Sequence, residues 1–195
     1  MASHDTRERL IFAMSRALQR RGMNGVGLNE ILASAEAPKG VLYHHFPGGK
    51  AQLVVDAIGH AVDRLLTQLD KVLCTHPRLT DGLAMWFRLA GKRLEETAFE
   101  QGCPLATVAL ESGADDTSIR EALGAGFESI RAGLSGRLQL AGCTVKRADG
   151  LAALIVASYE GGLMQARVQC SVKPMRQVIE TLVMLLETAG LPERH

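Results

Sequence analysis

A chain of 195 residues, 47% apolar and 22% charged, has the balance of a globular protein and is too apolar for a disordered tail. No apolar run reaches the ~18 uncharged residues of a membrane span, and MASHDTRERL is polar from its start, so neither a membrane partner nor a secretory signal is expected and the cytoplasm is the default location. The net charge of +1 is unevenly placed: residues 1–50 hold seven Lys/Arg against four Asp/Glu, +3, which leaves −2 for the rest and suits a phosphate-facing N-terminal domain.

The first helix is expected to start near Asp5 or Thr6, either of which can cap it, and to end at Gly22 and Gly25. Leu10, Ala13, Met14, Ala17 and Leu18 recur at helical spacing, while Arg9, Arg16, Arg20 and Arg21 take the other faces. Arg16 and Arg20 read as a solvated face. Thr6 and Arg7, at the helix start, are better placed to touch a phosphate, because a helix N-terminus favours anions. A short second helix over about 28–34 turns Leu28, Ile31 and Leu32 inward, with Gly27 at its N-cap and Glu30 able to reach back to the backbone.

The stretch from Glu36 to Lys50, EAPKGVLYHHFPGGK, is the most specific part of the chain. Pro38 suits the first turn of a helix, where a missing N–H costs nothing, so a third helix is expected from Pro38 to about His45. Leu42 and Phe46, four apart, anchor it inward and leave Lys39, Gly40, Val41, Tyr43 and His44 on the outer side. Lys39 is a point charge for a phosphate, Gly40 allows close backbone approach, and the Tyr43 hydroxyl can donate to a phosphate oxygen. Val41 offers apolar contact, as to a thymine methyl, and His44 can meet a base edge or a phosphate. These are the marks of the recognition helix of a helix-turn-helix. After Pro47-Gly48-Gly49 a long helix begins at Lys50, whose first turn again joins a cation to free N–H groups.

On these residues the run from Arg9 to Leu53 resembles the DNA-binding domain of the TetR/AcrR family of transcriptional regulators. The matching positions are Glu30 and Ile31, then Lys39, Gly40, Leu42, Tyr43, Phe46 and Lys50. Ala-Pro-Lys-Gly and Phe-Pro-Gly-Gly-Lys, with Gly102-Cys103-Pro104 farther on, resemble the flavonoid-responsive, multidrug-type (LmrA/YxaF-like) subgroup. Two positions depart from the family pattern. Val26 stands where the family has Thr, which removes a hydroxyl used on phosphate, and Glu36 replaces a Gly at a turn that favours positive φ.

The long fourth helix carries Leu53, Val54, Ala57, Ile58, Ala61, Leu65 and Leu69 in a 3-4 pattern to about Leu73. From Thr80 on all is helical: about 80–99, a shorter piece from Pro104 to Ser112-Gly113, a helix from Asp115 or Asp116 to about Leu140, one over 145–170, and a last from Pro174 to about Ala189 with Gly190 and Pro192 as stop signals. No stretch sustains period-2 alternation. The fold class expected is all-α with about nine helices: a helix-turn-helix domain over 1–49 and a helical effector-binding and dimerisation domain over 50–195.

The penultimate helix is apolar on more than one face, with Leu151, Ile155, Ser158 and Gly162 among its candidates for contact with a second chain; Val178, Leu182 and Leu185 add to them from the last. Internal packing is the bland account, and the resemblance to a family of dimers favours a four-helix homodimer interface.

No GxSxG, P-loop, GxGxxG or HExxH occurs, and no His stands at a metal-ligand spacing from Cys or carboxylate, so no enzyme, metal or cofactor is expected. The four cysteines, widely separated, read as small buried hydrophobes. A small-molecule pocket is expected instead, walled by Met85, Trp86, Phe87, Leu89 and Cys103 with Val108, Phe127, Ile130 and Tyr159. The same side chains would serve as plain core. The reading is a homodimeric repressor that binds palindromic double-stranded operator DNA and is released by a small hydrophobic or planar aromatic effector. Its alternatives are an activator or constitutive factor of the same fold, a cysteine-based redox regulator, and a helical module that does not bind DNA.

Overall fold

The computed structural model describes residues 2–188, with side chains from residue 6 onward. Ala189, Gly190 and Pro192, named above as stop signals, lie outside the described residues, as does the side chain of Asp5. Nine helices and no strand occupy the described residues: α1 (Ala2–Arg21), α2 (Leu28–Ser34), α3 (Val41–His45), α4 (Gly49–Thr75), α5 (Leu79–Glu96), α6 (Pro104–Glu111), α7 (Thr117–Leu140), α8 (Val145–Gln169) and α9 (Lys173–Thr188). None is long and apolar enough to cross a membrane.

The chain divides into two compact units. The first runs up to Asp63 and takes in Cys103–Phe127; the second holds Arg64–Gly102 and the described residues from Glu128 on. The first unit runs past residue 49, and the start of α4 is tied into it by Asp56 on Arg7 of α1 and by Lys50 on the Val26 carbonyl.

In the first unit Leu10, Met14 and Leu18, one α1 turn apart, are fully buried, as are Leu42, Phe46, Leu53 and Val54. α1 stops where Gly22 turns to φ 68, a left-handed conformation that favours glycine. α2 ends differently. Glu36 sits at φ 50, and the amides of Glu36 and Ala37 donate to the carbonyls of Ala33 and Leu32 at 3.1 and 2.9 Å. This is a Schellman closure with a non-glycine residue in the left-handed position. The Glu30 carboxylate, expected on the N-cap backbone, instead pairs with Arg21 at the end of α1.

α3 begins three residues later than the proline suggested. Pro38, Lys39 and Gly40 form a tight turn in which the Val41 amide donates to the Pro38 carbonyl at 3.1 Å, so the α-helical ladder starts only at Val41.

In the second unit Leu83, Leu94, Ile130, Leu134 and Ile155 are buried with Trp86 and Phe87. α5 stops at Glu96, short of the expected Phe99. Ala98 and Phe99 take φ 50 and 62, so the chain leaves the helix through two left-handed residues before reaching Pro104. The Asp116 carboxylate accepts from the Gly113 amide at 2.8 Å, bracing the turn before α7. Cys170 ends α8 at φ 47.

A left-handed non-glycine residue costs about 1–2 kcal/mol. Glu36→Gly is expected to raise the stability of the folded chain by about 1 kcal/mol, less glycine's own entropy loss. An unchanged or lowered urea midpoint for that variant would show that the α2–α3 turn carries no such strain.

Candidate nucleic-acid interface

A five-residue helix has no stability of its own, so what faces outward from α3 is decided by what it buries. Leu42 and Phe46 are 0% exposed, and the Phe46 amide donates to the Leu42 carbonyl at 2.7 Å. The opposite side is open: Tyr43 is 63% exposed, and Pro38, Lys39, Gly40 and His44 are exposed with Val41 half-buried. Of the expected DNA-contacting set, these six lie together on one surface.

Gly40 is informative. Its φ of −68 is ordinary for any residue, and a Cβ there would meet nothing within 4 Å. Nothing among the described residues requires glycine at this position. The ring of Tyr43 lies along Gly49, with Cε1 3.6 Å from where a Cβ on that glycine would stand. Gly49 itself needs its φ of 66 to turn the chain into α4. One ring edge of the tyrosine thus rests on backbone while the residue stays largely exposed. His44 and His45 stand edge to face at 5.1 Å.

The remaining cations are largely committed inside the unit. Arg7 donates to Asp56 of α4 at 2.5 Å and lies over the Phe46 ring at 5.4 Å, so it braces α1, α3 and α4 together. Thr6 is half-buried, its hydroxyl 3.4 Å from Arg9 Nη2. Lys50 donates to the carbonyl of Val26 at 2.6 Å, pinning the start of α4 to the α1–α2 turn. An ammonium has three N–H donors, so two remain for another acceptor. Lys39 makes no ion pair among the described residues; it stands as a free charge on the open face.

Glu111, at the end of α6, emerges with a part that sequence reading did not give it. Its Oε2 accepts from the amides of Met23 and Asn24 at 2.5 and 3.1 Å, capping the turn that follows α1. A Cβ on Gly22 would collide with this carboxylate, which gives that glycine a second reason to be glycine. The partners lie 88 and 87 positions apart, and no local pattern announces such a contact. Asp56, the acceptor for Arg7, was unforeseen for the same reason.

The expected pocket side chains are divided between the units. Cys103 and Val108 are buried and Phe127 half-buried in the first; Met85 and Leu89 are half-buried, and Trp86, Ile130 and Tyr159 buried, in the second. Trp86 and Tyr159 are brought together. Their rings stack at 4.1 Å and 8°, with Phe87 edge-on to both at 5.6 and 5.2 Å, so each aromatic face there is answered by another. Of the expected interface residues, Ile155 (0%), Leu182 (3%) and Gly162 are buried within the chain, and Leu151, Ser158 and Val178 are half-buried. Leu185 is exposed, and beside it on α8 and α9 so are Leu154, Met164, Val168 and Met184.

Residues 11–57 match the family model "Bacterial regulatory proteins, tetR family", and residues 80–181 match "Transcriptional regulator LmrA/YxaF-like, C-terminal domain". The chain belongs to the TetR family. It is 28% identical over 189 residues to the HTH-type transcriptional regulator LmrA of Bacillus subtilis, covering 96% of this chain and 100% of that one. An uncharacterized HTH-type transcriptional regulator of Mycobacterium tuberculosis is 31% identical over 193 residues, with 96% and 97% covered. Among solved structures, a TetR regulatory protein of Rhodobacter sphaeroides superposes with a TM-score of 0.80 at 25% identity, over 91% of this chain and 96% of that one. A TetR family regulator, CifR, complexed with 26bp double-strand operator DNA, shares the fold with a TM-score of 0.74 at 23% identity, over 89% and 95%. This TetR-family chain is accordingly a DNA-binding transcriptional regulator and not an enzyme.

Truncating Glu111 strands two backbone donors in a part-buried turn, at a cost of about 1–2 kcal/mol. Glu111→Ala is expected to speed hydrogen exchange at the Met23 and Asn24 amides while leaving the amides of α8 and α9 protected. Equal exchange in parent and variant would remove the capping role.

Proposed function

We propose that this regulator is a homodimeric repressor that holds a palindromic operator in the cytoplasm and releases it when a small hydrophobic, planar aromatic effector binds. One observation carries the DNA half: Lys39, an unneeded Gly40, Val41, Tyr43 and His44 share the open face of a helix whose inner face is wholly buried. A glycine that the chain itself does not require fits a backbone pressed against another molecule, and a free lysine beside a tyrosine hydroxyl fits phosphate oxygens. Pro38 presets the turn, and Lys50 retains donors for the same backbone. Arg7 and Thr6 stand on α1 at the edge of this surface, Arg7 holding the frame through Asp56.

Two copies are required to address a palindrome, with recognition helices ~34–36 Å apart. The exposed apolar side chains of Leu154, Met164, Val168, Met184 and Leu185 on α8 and α9 support a four-helix interface there; Leu151, Ser158 and Val178, half-buried already, lie on the same two helices. The LmrA/YxaF-like match over residues 80–181 supports the effector half, and Trp86 with Tyr159 is its best-formed aromatic element. Release follows only if the effector binds the DNA-incompetent state more tightly.

A second reading, regulation by oxidation, is favoured by one contact. Cys74 is exposed and its Sγ lies 3.0 Å from Arg137 Nη2, whereas Cys103 is buried. Loss of oxidant sensitivity in Cys74→Ser but not in Cys103→Ser would support it.

The test is a fluorescence-anisotropy titration on duplexes selected by the protein from a random pool. Lys39→Ala is expected to weaken binding to all duplexes alike and to lower the salt slope by about one. Tyr43→Phe is expected to weaken it without changing that slope, and a planar polyphenol to reverse binding by the parent. Unchanged affinity in the Lys39→Ala, Tyr43→Phe double variant would refute the DNA half, and indifference to polyphenols would refute the effector half.

A further inference from the structure

Within the second unit, α5 and α9 enclose a cavity of about 890 Å³, in the ~300–1,000 Å³ range of small-molecule sites. Of the side chains expected to wall an effector pocket, Phe87 alone lines it. Its floor is apolar: Phe87 and Gly91 of α5, Val172 of the α8–α9 turn, and Met175, Ile179 and Val183 of α9. Its rim is charged, with Arg88, Lys92 and Glu95 along α5 and Arg176 and Glu180 along α9, all exposed.

Two contacts give the register of these helices. Arg78 Nη1, just before α5, lies 3.6 Å from Glu187 near the end of α9, and a Cβ on Gly91 would stand 3.3 Å from Val172 Cγ1, just before α9 begins. The helices are therefore antiparallel, and Arg88 and Arg176 come to about the same height on opposite walls, by the ~1.5 Å rise per residue. Neither guanidinium has an ion-pair partner among the described residues. Lys92, one turn beyond Arg88, pairs at 3.6 Å with Glu96, outside the cavity lining. Glu180 and Glu95 lie farther along the groove on either side of the arginine pair. At its middle, two unanswered positive charges flank a greasy floor, and that floor lowers the dielectric in which they act.

We propose that this groove binds an amphipathic monoanion, its carboxylate or sulfate held between Arg88 and Arg176 and its apolar chain laid over Phe87, Met175, Ile179 and Val183. A planar guanidinium on each side offers paired N–H donors to a flat or tetrahedral oxyanion. Glu95 and Glu180 repel a second negative group, which selects one charge rather than two. Occupancy is a property of this groove alone and does not rest on the operator reading.

The experiment is isothermal titration calorimetry of the full chain with decanoate, decyl sulfate and decanol. Both anions are expected to bind once per chain, and decanol about tenfold more weakly. The Arg88→Gln, Arg176→Gln variant, altered only at exposed positions, is expected to lose about tenfold in affinity for both anions and nothing for decanol. Ala84→Trp, which fills one end of the groove, should weaken all three. Anion affinity untouched in the double glutamine variant, or decanol equal to decanoate in the parent, would overturn the proposal. So would a change of sedimentation coefficient in Ala84→Trp without loss of ligand, since the groove would then be covered by a second copy.

Discussion

The outward face of α3 depends on two side chains that never reach solvent. Five helical residues supply too few backbone hydrogen bonds to hold themselves in shape, and Leu42 and Phe46, both fully buried, supply the orientation instead. Truncating such a residue to alanine costs about 2–5 kcal/mol, far more than any contact the exposed residues make with the chain. Everything attributed to Lys39, Val41, Tyr43 and His44 follows from that anchoring, because four-residue spacing turns these side chains away when Leu42 and Phe46 turn in. The anchors are themselves held. Arg7 covers the Phe46 ring and ties α1 to Asp56 of α4, while Lys50 clamps the α4 start onto the Val26 carbonyl.

This arrangement explains why residues 1–50, with seven Lys/Arg against four Asp/Glu, offer so little of their positive charge freely. Arg7 and Lys50 act first as cross-links across 49 and 24 positions and Arg21 as one across nine, and Glu111 does the same with opposite sign on the Met23 and Asn24 amides. The exposed Arg7–Asp56 and Arg21–Glu30 ion pairs are individually worth little. Their value is geometric: Arg7 joins α1 to α4, and Arg21 joins the end of α1 to α2. Lys39 is left exposed on the open face of α3 without an ion pair among the described residues.

Much of the fold was legible because helical periodicity is a local property. The 10-14-18 spacing in α1, the Gly22 stop, the bounds of α2 and α6, and the inward pair Leu42/Phe46 all follow from neighbours within a few positions. Local rules failed where two of them competed. Pro38 marks a helix start, but the turn through Gly40 closes with a three-residue bond, so α3 is shorter than its proline implied. Glu36 accepts a conformation that glycine would take without strain, and the Ala98-Phe99 pair leaves α5 in a way no propensity suggests. Long-range features were not readable. Glu111 meets a turn 88 residues away, and the α5–α9 groove joins residues from two helices whose register is set only by packing. Trp86 and Tyr159, each expected to face a ligand, stack on each other instead, a contact between α5 and α8 that no local pattern announces.

The proposed homodimer would set one α3 from each protomer in the major groove. Dimethyl sulfate protection on a duplex selected by the full chain separates the grooves, since guanine N7 lies in the major groove and adenine N3 in the minor. The account predicts loss of N7 methylation in two patches one helical turn apart, ~34–36 Å between centres, symmetric about the dyad. Protection confined to adenine N3, or a single patch without a symmetry mate, would contradict it.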